Sequence, residues 1–400
     1  MRAIVNTKLI LEDGIVWDGA VTFDQGRIVA AGERDEVAIP ADAGIIDAGG
    51  LYTAPGFVDI HVHGSEHHSF RRDPPLRVAE EFLCHGQTTL LPTFFSDLLP
   101  EQMIERVQAC REAAGQGVGR VLDGIYMEGP YMAGFSGNQN SIQQMWMDDI
   151  RREDYVPLVD AIGDMVRVWA IDPARPGIGD FMACAKEKNP QVLFALGHSR
   201  ATAAQCRALR DYGLRVQTHH GDSGKAPGHA QGTVGAGCDE YTLYDPDMYA
   251  ELICDEKGVH VDPDLIKLVI RTKGVERVVL ITDSEVAYTD PATGKPYTNN
   301  PADGVAYGPD LNYDYEGHVS GSHLTLDRAC RNVMKHTGYG LCHAVRFASL
   351  NPARLLGLDR EIGSIAAGKR ANLILMDDTV RVRRVFLDGE LVCEDGKLAL

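Results

Sequence analysis

This sequence of 400 residues has fewer basic than acidic residues, and it lacks signal-type apolar segments and long hydrophobic runs. Lys and Arg number 39 against 57 Asp and Glu, and the resulting formal charge of -18 argues against a surface for nucleic acid or an anionic membrane. No run of 18 apolar residues occurs, which argues against a membrane-spanning helix. Because the first residues carry charges rather than an apolar run, we expect a soluble protein of the cytoplasm.

Closely spaced cysteines are also missing from the sequence. The 9 cysteines are odd in number, widely scattered and never spaced as Cys-x-x-Cys. This distribution is typical of reduced thiols in a cytoplasmic protein rather than of a disulfide framework or a zinc ribbon. We therefore expect the thiols to be reduced.

Short strand-like runs separated by Asp-Gly or Gly turns occur at both ends of the chain, within residues 1–55 and 361–400. Turns at such close intervals are typical of antiparallel sheet. The simplest arrangement has both ends forming one small β-sandwich domain, with residues 56–360 inserted as a separate domain.

The middle of the chain alternates between strand-like and amphipathic helical stretches. The strand-like runs are 57–63, 88–94, 121–128, 166–171, 192–198, 215–219, 251–255 and 277–283. Eight such runs predict an α/β fold, a (β/α)8 barrel of the TIM type. A doubly wound open sheet is the competing architecture, but no Gly-x-Gly-x-x-Gly turn follows any of the runs.

The first barrel strand carries two histidines with alternate spacing. Asp59, His61 and His63 fall on one face of this strand, and apolar residues fall on the other. A strand rises ~3.3 Å per residue, so two imidazoles two residues apart can converge on one ion. Taken alone, the pattern more often represents polar residues on the solvated face of an ordinary strand.

Metal-ligand residue types stand at the ends of the predicted strands. They are His61, His63, Glu128, Asp172, His198, His219, Asp255 and Asp283. Catalytic groups of a barrel lie at the C-terminal ends of its strands. Each residue alone could be a packed core histidine or a helix cap, but so many buried ionisable groups are costly unless paired or coordinated. The set therefore indicates a metal site.

Five segments containing these residues match a known pattern. They are Gly56 to Gly64, Met127 to Pro130, Leu196 to Ser199, Thr218-His219 and Ile281 to Asp283. Together they resemble the amidohydrolase superfamily, and within it the N-acetylglucosamine-6-phosphate deacetylases. Further matching segments, Gly258 to Val261, Ser320 to Ala329, Asn351 to Ala353 and Gly363 to Lys369, extend the resemblance over nearly the whole chain.

The resemblance implies metal-dependent hydrolysis of the N-acetyl amide of an amino sugar. It implies that Glu128, His198 and His219 hold one divalent ion, and that His61 and His63 hold a second with Glu128 bridging. Imidazole and carboxylate ligands suit zinc, our first expectation, and also iron, cobalt and nickel. A bound ion would activate water and polarise the amide carbonyl, with no side-chain nucleophile.

The resemblance also implies the remaining roles. Asp283 would be the general base that takes the proton from water and passes it to the leaving amine. Gln139 and His260 match positions near the scissile carbonyl and the substrate. His220 and Lys225 are further candidate substrate contacts. The family resemblance also suggests a homodimer.

One segment departs from the family. After the histidine of the sixth strand the family has Leu-Phe-Asn-Ala-Met, which grips a sugar phosphate, whereas this chain has His220-Gly221-Asp222-Ser223-Gly224. Asp222 would repel a phosphate, although Lys225 could attract one. A related amidohydrolase acting on a different, possibly non-phosphorylated N-acyl compound or a cyclic amide is therefore the alternative. The role of the inserted segment 288–315 is open. A non-enzymatic scaffold is disfavoured by the intact set of ligands and base.

Overall fold

The computed structural model describes residues 1–133, 146–224, 233–289, 294, 310–314 and 317–399. The chain begins with five strands, β1 (Arg2–Ile10), β2 (Ile15–Asp24), β3 (Arg27–Glu33), β4 (Gly44–Asp47) and β5 (Tyr52–Pro55). Strands β1, β2 and β3 pair antiparallel, while β4 and β5 both pair parallel with β1.

Eight parallel strands follow and form the barrel. They are β6 (Phe57–Val62), β7 (Gln87–Phe95), β8 (Ile125–Glu128), β9 (Val166–Ile171), β10 (Leu193–Leu196), β11 (Leu214–Gln217), β12 (Tyr249–Ile253) and β13 (Val278–Ile281). Each pairs with the next in chain order. Just beyond β13, Asp283 donates its backbone N–H to the carbonyl of His61 at 2.9 Å, which brings the two edge strands together. The prediction of a (β/α)8 barrel is confirmed.

Helices cover the outside of the barrel. They are α1 (Pro75–Leu83), α2 (Pro100–Ala114), α3 (Arg152–Ile162), α4 (Ile178–Lys188), α5 (Ala203–Ala208), α6 (Cys238–Tyr244), α7 (Pro263–Lys273), α8 (Leu326–Thr337), α9 (Leu341–Ala348) and α10 (Leu350–Leu355). Strand β6 is buried at all six positions, because helices cover one face and the barrel interior the other. The alternative of a solvated face for Asp59 and His61 is therefore wrong.

Local sequence explains where the helices begin. The carboxylate of Asp262 accepts the N–H of Asp264 at 2.8 Å and caps α7, whose first residue is a proline. After β10, the short helix α5 ends at Ala208, and a 3₁₀ turn, Arg210–Tyr212, follows.

The C-terminal segment returns to the first sheet. After a hairpin of β14 (Leu311–Tyr313) and β15 (Val319–Ser322), the chain forms β16 (Leu373–Met376), β17 (Val382–Leu387), β18 (Glu390–Glu394) and β19 (Lys397–Leu398). Strand β16 pairs antiparallel with β5, so both ends of the chain share one nine-stranded sheet. The predicted small β domain built from both ends is confirmed as part of the fold.

The cysteines correct one expectation. Cys84, which follows α1, and Cys393, in β18, form a disulfide with their α carbons 5.5 Å apart, whereas we expected reduced thiols throughout. The partners are 309 residues apart, so their spacing gave no sign of the pairing. The other seven cysteines are free. Among the described residues, no helix is both long and apolar enough to cross a membrane.

Candidate metal centre and active site

His61 in β6 and His63 just after it, here called the inner pair, face one oxygen of a single carboxylate. Nε2 of His61 lies 3.6 Å and Nε2 of His63 3.1 Å from Oε2 of Glu128. The side chain of His61 is fully buried and that of His63 is 11% exposed. Alternation along β6 therefore aims both imidazoles at the end of β8, as the spacing predicts.

Two further histidines, here called the outer pair, face the other oxygen of the same carboxylate. Nε2 of His198 lies 2.9 Å and Nε2 of His219 3.0 Å from Oε1 of Glu128. These residues follow β10 and β11, far from β6 in the sequence. Glu128 thus stands between the two pairs with one oxygen turned to each, which is the geometry that a bridging carboxylate requires.

Asp283 completes the cluster beside the inner pair. Its Oδ1 lies 3.3 Å from Nε2 of His63 and 3.5 Å from Nε2 of His61. Two groups result, His61, His63, Glu128 and Asp283 in one and Glu128, His198 and His219 in the other, and within each the possible ligand atoms lie within 4.8 Å of one another. The rim of the barrel therefore carries two adjoining groups that could each hold an ion.

Three of these residues have a left-handed backbone, which non-glycine residues rarely adopt. The φ angles are 44° for His198, 22° for His219 and 47° for Asp283. Such strain persists only where the surroundings hold it, and it is concentrated at functional sites. A backbone hydrogen bond stabilises the conformation of His198, since the N–H of Ala133 donates to its carbonyl at 2.9 Å. The left-handed turn at each strand end directs the side chain over the barrel mouth.

The electrostatics of the cluster favour a cation. Burial lowers the pKa of an imidazole, yet the carboxylates of Glu128 and Glu251 raise the pKa of His61 to about 9. Burial would raise the pKa of Glu128, but its contacts with His198, His219 and the inner pair hold that pKa well below its ordinary value. Both directions show that the carboxylates stabilise positive charge among these imidazoles.

The donor set fits a divalent metal ion. Among the described residues, the buried Nε2 of His61 has no hydrogen-bond partner, and a buried polar atom left unpaired is costly. Neutral imidazoles and carboxylates are the ligands that first-row divalent ions take. An ion beside Glu128 would satisfy that nitrogen and balance the carboxylate charge without protonating the histidines.

The outer pair is joined to a predicted substrate contact through Asp222. The carboxylate of Asp222 hydrogen-bonds Nδ1 of His219 and lies 3.1 Å from Nδ1 of His260. Nε2 of His260 is 3.0 Å from the carbonyl of Gly321. Burial would raise the pKa of Asp222, but His219 and then His260 lower it. The sequence predicts only repulsion of a phosphate by Asp222, and it gives no sign that this carboxylate orients two histidines.

Some predicted residues are not brought to the cluster. His220 is fully buried, with Nδ1 3.1 Å from Oε1 of Gln217, and it does not join the ligand groups. Asp172 accepts the hydroxyl of Ser199 at 2.5 Å, and Asp255 accepts the N–H of Val259, so both stabilise loops. Gln139 and Lys225, and most of segment 288–315, lie outside the described residues.

A cavity of about 950 Å³ lies between the loops that follow β6, β7 and β13. Arg71, Asp97, Glu285 and Tyr288 are among its lining residues. Arg71 forms an ion pair with Asp97, and burial raises the pKa of Glu285. A cavity of this size, whose lining includes charged side chains and begins two residues after Asp283, can accept a small molecule.

Comparisons with known proteins agree with this architecture. The model of the amidohydrolase family matches residues 52–392. An N-acetylgalactosamine-6-phosphate deacetylase of Escherichia coli O157:H7 is 30% identical over 392 residues, which cover 96% of this chain and 97% of the relative. An N-acetylglucosamine-6-phosphate deacetylase of Vibrio furnissii is 26% identical, with 94% of this chain and 91% of the relative covered.

Solved structures agree as well. An N-acetyl-D-glucosamine-6-phosphate deacetylase mutant from Mycobacterium smegmatis, in complex with N-acetyl-D-glucosamine-6-phosphate, is 27% identical with a TM-score of 0.79, and 98% of each chain is covered. The Pasteurella multocida N-acetylglucosamine-6-phosphate deacetylase has a TM-score of 0.82 at 24% identity, over 98% of this chain and 99% of that one. The resemblance predicted from the sequence is confirmed. The chain belongs to the amidohydrolase family.

Proposed function

We propose that this protein is a metal-dependent deacetylase that hydrolyses the N-acetyl amide of an amino sugar. The observation that carries the proposal is the convergence of the inner pair, the outer pair, Glu128 and Asp283 at one end of the barrel. Relatives similar over almost the whole chain are named as deacetylases of amino-sugar phosphates. Site and relatives therefore support the same reaction class.

The proposed ligand sets follow the two groups of the cluster. Glu128, His198 and His219 would hold one divalent ion, and the inner pair would hold a second with Glu128 shared between them. When bound, the ion supplies Lewis acidity, which polarises the amide carbonyl and makes water easier to deprotonate. Zinc is our first choice, with iron, cobalt or nickel as alternatives.

Asp283 is the proposed general base and acid. Burial would raise the pKa of this carboxyl, but the contact with His63 and the charges of the other imidazoles lower it, so it is ionised and able to accept a proton. Its carboxylate takes the proton from the attacking water and then delivers it to the amine nitrogen, because an unprotonated amine is a poor leaving group. The backbone hydrogen bond to the carbonyl of His61 fixes where this happens.

Substrate contacts are proposed at several positions. His260, held by Asp222, faces the outer side of the cluster. Gln139 remains a proposal from the family resemblance, and Lys225 remains a proposal from its charge, which could attract a phosphate. His220 is less favoured because its side chain is fully buried against Gln217.

One observation favours a second candidate, a related amidohydrolase acting on a non-phosphorylated N-acyl compound. Asp222 stands where the resemblance predicts an asparagine that grips a sugar phosphate, and its carboxylate contacts both His219 and His260. A fixed negative charge there disfavours a phosphate group. The reaction class is the same, and only the substrate differs.

A substrate panel separates the two candidates. Zinc-reconstituted protein would be given N-acetylglucosamine-6-phosphate, N-acetylgalactosamine-6-phosphate, both sugars without phosphate, and an N-acetyl amino acid, with acetate release as the readout. We expect release from at least one N-acetyl sugar. Release from the unphosphorylated sugars alone would support the second candidate. Release from none of the sugars would contradict the deacetylase proposal.

The broader setting is also proposed. We infer a homodimer from the family resemblance, and sedimentation of the purified protein tests it. Residues 56–360 as the barrel domain and a cytoplasmic location remain predictions from the sequence. Thiol labelling before and after reduction would show whether Cys84 and Cys393 are paired where the protein works.

A further inference from the structure

A carboxylate that the proposed reaction does not use lies directly behind the inner pair. Glu251, in the middle of β12, is fully buried. Its Oε2 is 3.3 Å from Nδ1 of His61, 3.1 Å from Oγ1 of Thr218 and 3.3 Å from the backbone N of His219. Sequence reasoning missed it, because a single Glu within an apolar strand gives no sign of its partner.

Hydrogen-bond chemistry fixes which nitrogen of His61 carries a proton. An ionised carboxylate only accepts, so Nδ1 of His61 is the donor to Glu251. In the neutral ring that a metal ion requires, the lone pair is then on Nε2, which faces Oε2 of Glu128 at 3.6 Å and Oδ1 of Asp283 at 3.5 Å. A carboxylate behind a histidine is the arrangement that fixes the tautomer and the ring orientation of metal ligands.

The surroundings hold this network in place. The ring of His61 packs against Tyr126 with centroids 4.5 Å apart, and the Tyr126 hydroxyl lies 2.5 Å from Oγ1 of Thr218. Because the Thr218 hydroxyl donates to Glu251, its oxygen is left to accept from Tyr126 and from Nδ1 of His61, 3.2 Å away. The ring therefore has little freedom to turn.

The charge of Glu251 has one partner. Among the described residues, the ring of His61 is the only basic side chain within ion-pair distance of this carboxylate. A fully buried carboxylate without an Arg or Lys partner is unfavourable. Positive charge held at the other nitrogen of His61 offsets it.

We propose that Glu251 is a positioning residue that orients His61 and thereby controls occupancy of the inner ion position. The inference rests on the proposed metal centre. The carboxylate of Glu251 contacts the ring of His61, whereas the carboxylate of Asp222 contacts the ring of His219. The inner ion position therefore depends on Glu251 for the orientation of its histidine ring, and the outer position does not.

Metal titration of apoprotein tests the inference without relying on turnover. Wild type, Glu251→Gln and Glu251→Met would be titrated with Co²⁺ by calorimetry, and the bound metal counted by elemental analysis. Asp245→Asn serves as control, because Asp245 is buried at the other end of the barrel, before β12. Wild type and control should bind two ions. Glu251→Met should bind the inner ion about 10- to 100-fold more weakly and the outer ion with a clearly smaller loss, since only a backbone contact to His219 is removed there. The loss should be smaller for Glu251→Gln.

A double-mutant cycle separates positioning from a general structural effect. In a His61→Asn background, Glu251→Gln should change neither the metal content nor the affinity of the remaining ion. Wild-type affinity for both ions in Glu251→Met, or an equal loss of both ions, would overturn the inference. A wild type that binds one ion would overturn it too. A wild type that binds none would overturn the proposed metal centre itself, which distinguishes the two failures.

Discussion

The inner and outer pairs face opposite oxygens of Glu128, yet they are built differently. The inner pair lies at the end of β6, which pairs with β7 on one side and accepts the backbone N–H of Asp283 at the carbonyl of His61 on the other. The outer pair follows the ends of two strands in left-handed conformations. Side-chain exposure is 0% and 11% for His61 and His63, against 18% and 5% for His198 and His219. One half of the site is set by strand register, and the other by the loops that carry substrate contacts.

This difference suggests a division of work. The inner pair shares its space with Asp283, whose carboxylate must stay available as the base. The outer pair lies beside Asp222 and His260, where the substrate is proposed to bind. We therefore expect turnover to depend most on the base, next on the outer pair and least on the inner pair.

The largest effect is expected for Asp283→Asn. Loss of a general acid and base costs about 10²- to 10⁴-fold in rate, while the outer position, which lacks Asp283, should still bind its ion. Turnover of the metal-reconstituted variant and its metal content are the measurements. Asp245→Asn, a buried aspartate far from the cluster, should keep its turnover. Wild-type turnover in Asp283→Asn would show that another group moves the proton.

Single substitutions compare the contribution of the two pairs to metal binding and turnover. His198→Asn should lose one ion and about 100-fold or more in kcat/KM, whereas His61→Asn should lose one ion with a smaller fall in rate, because we expect the outer ion to face the substrate. His85→Asn, a half-exposed histidine paired with Asp327, is the control. A larger loss in His61→Asn than in His198→Asn would reverse the proposed division of work.

Removal of metal should lower stability through both pairs. A ligand that binds only the folded state contributes about 4 kcal/mol at a free concentration of roughly 1,000 times its Kd. Chelation should therefore lower the melting temperature of the wild type by several degrees and restore it on adding zinc. Because His61→Asn has one position fewer to lose, its melting temperature should respond less to chelation. An equal response would mean that the inner position contributes nothing to stability.

The same contrast explains what could be predicted from the sequence. The period of a β-strand places His61 and His63 side by side, so the convergence of their rings could be predicted from spacing. Their assignment to a metal site also needed the residues at the other strand ends. Strand ends and the family resemblance located His198 and His219. Their left-handed backbone could not be foreseen, because histidine carries no signal for that conformation.

Contacts between distant segments could not be predicted at all. Glu251 meets His61 across 190 residues, and Cys84 meets Cys393 across 309. Neither pair has a spacing that identifies it, since the fold alone brings the partners together. Asp222 was noticed only for its charge. Its two hydrogen bonds depend on where the loop after β11 places it.

The smallest effect on turnover is expected for substitution of two glycines, Gly56 and Gly197, which precede the inner and the outer pair in the sequence. A Cβ at Gly56, before β6, would lie 2.1 Å from Oγ1 of Thr88, whereas one at Gly197, before His198, would lie 2.9 Å from Cγ2 of Thr218. Overpacking costs about 1–3 kcal/mol, with the larger loss expected for Gly56→Ala. Only Gly197→Ala should weaken binding of the outer ion, because the added methyl group crowds Thr218, the residue before His219, and lies next to His198. The register of β6 should stay unchanged. Chemical denaturation and metal titration of both variants would measure the two effects separately, and weaker metal binding in Gly56→Ala would show that the inner pair also depends on packing at the far end of its strand.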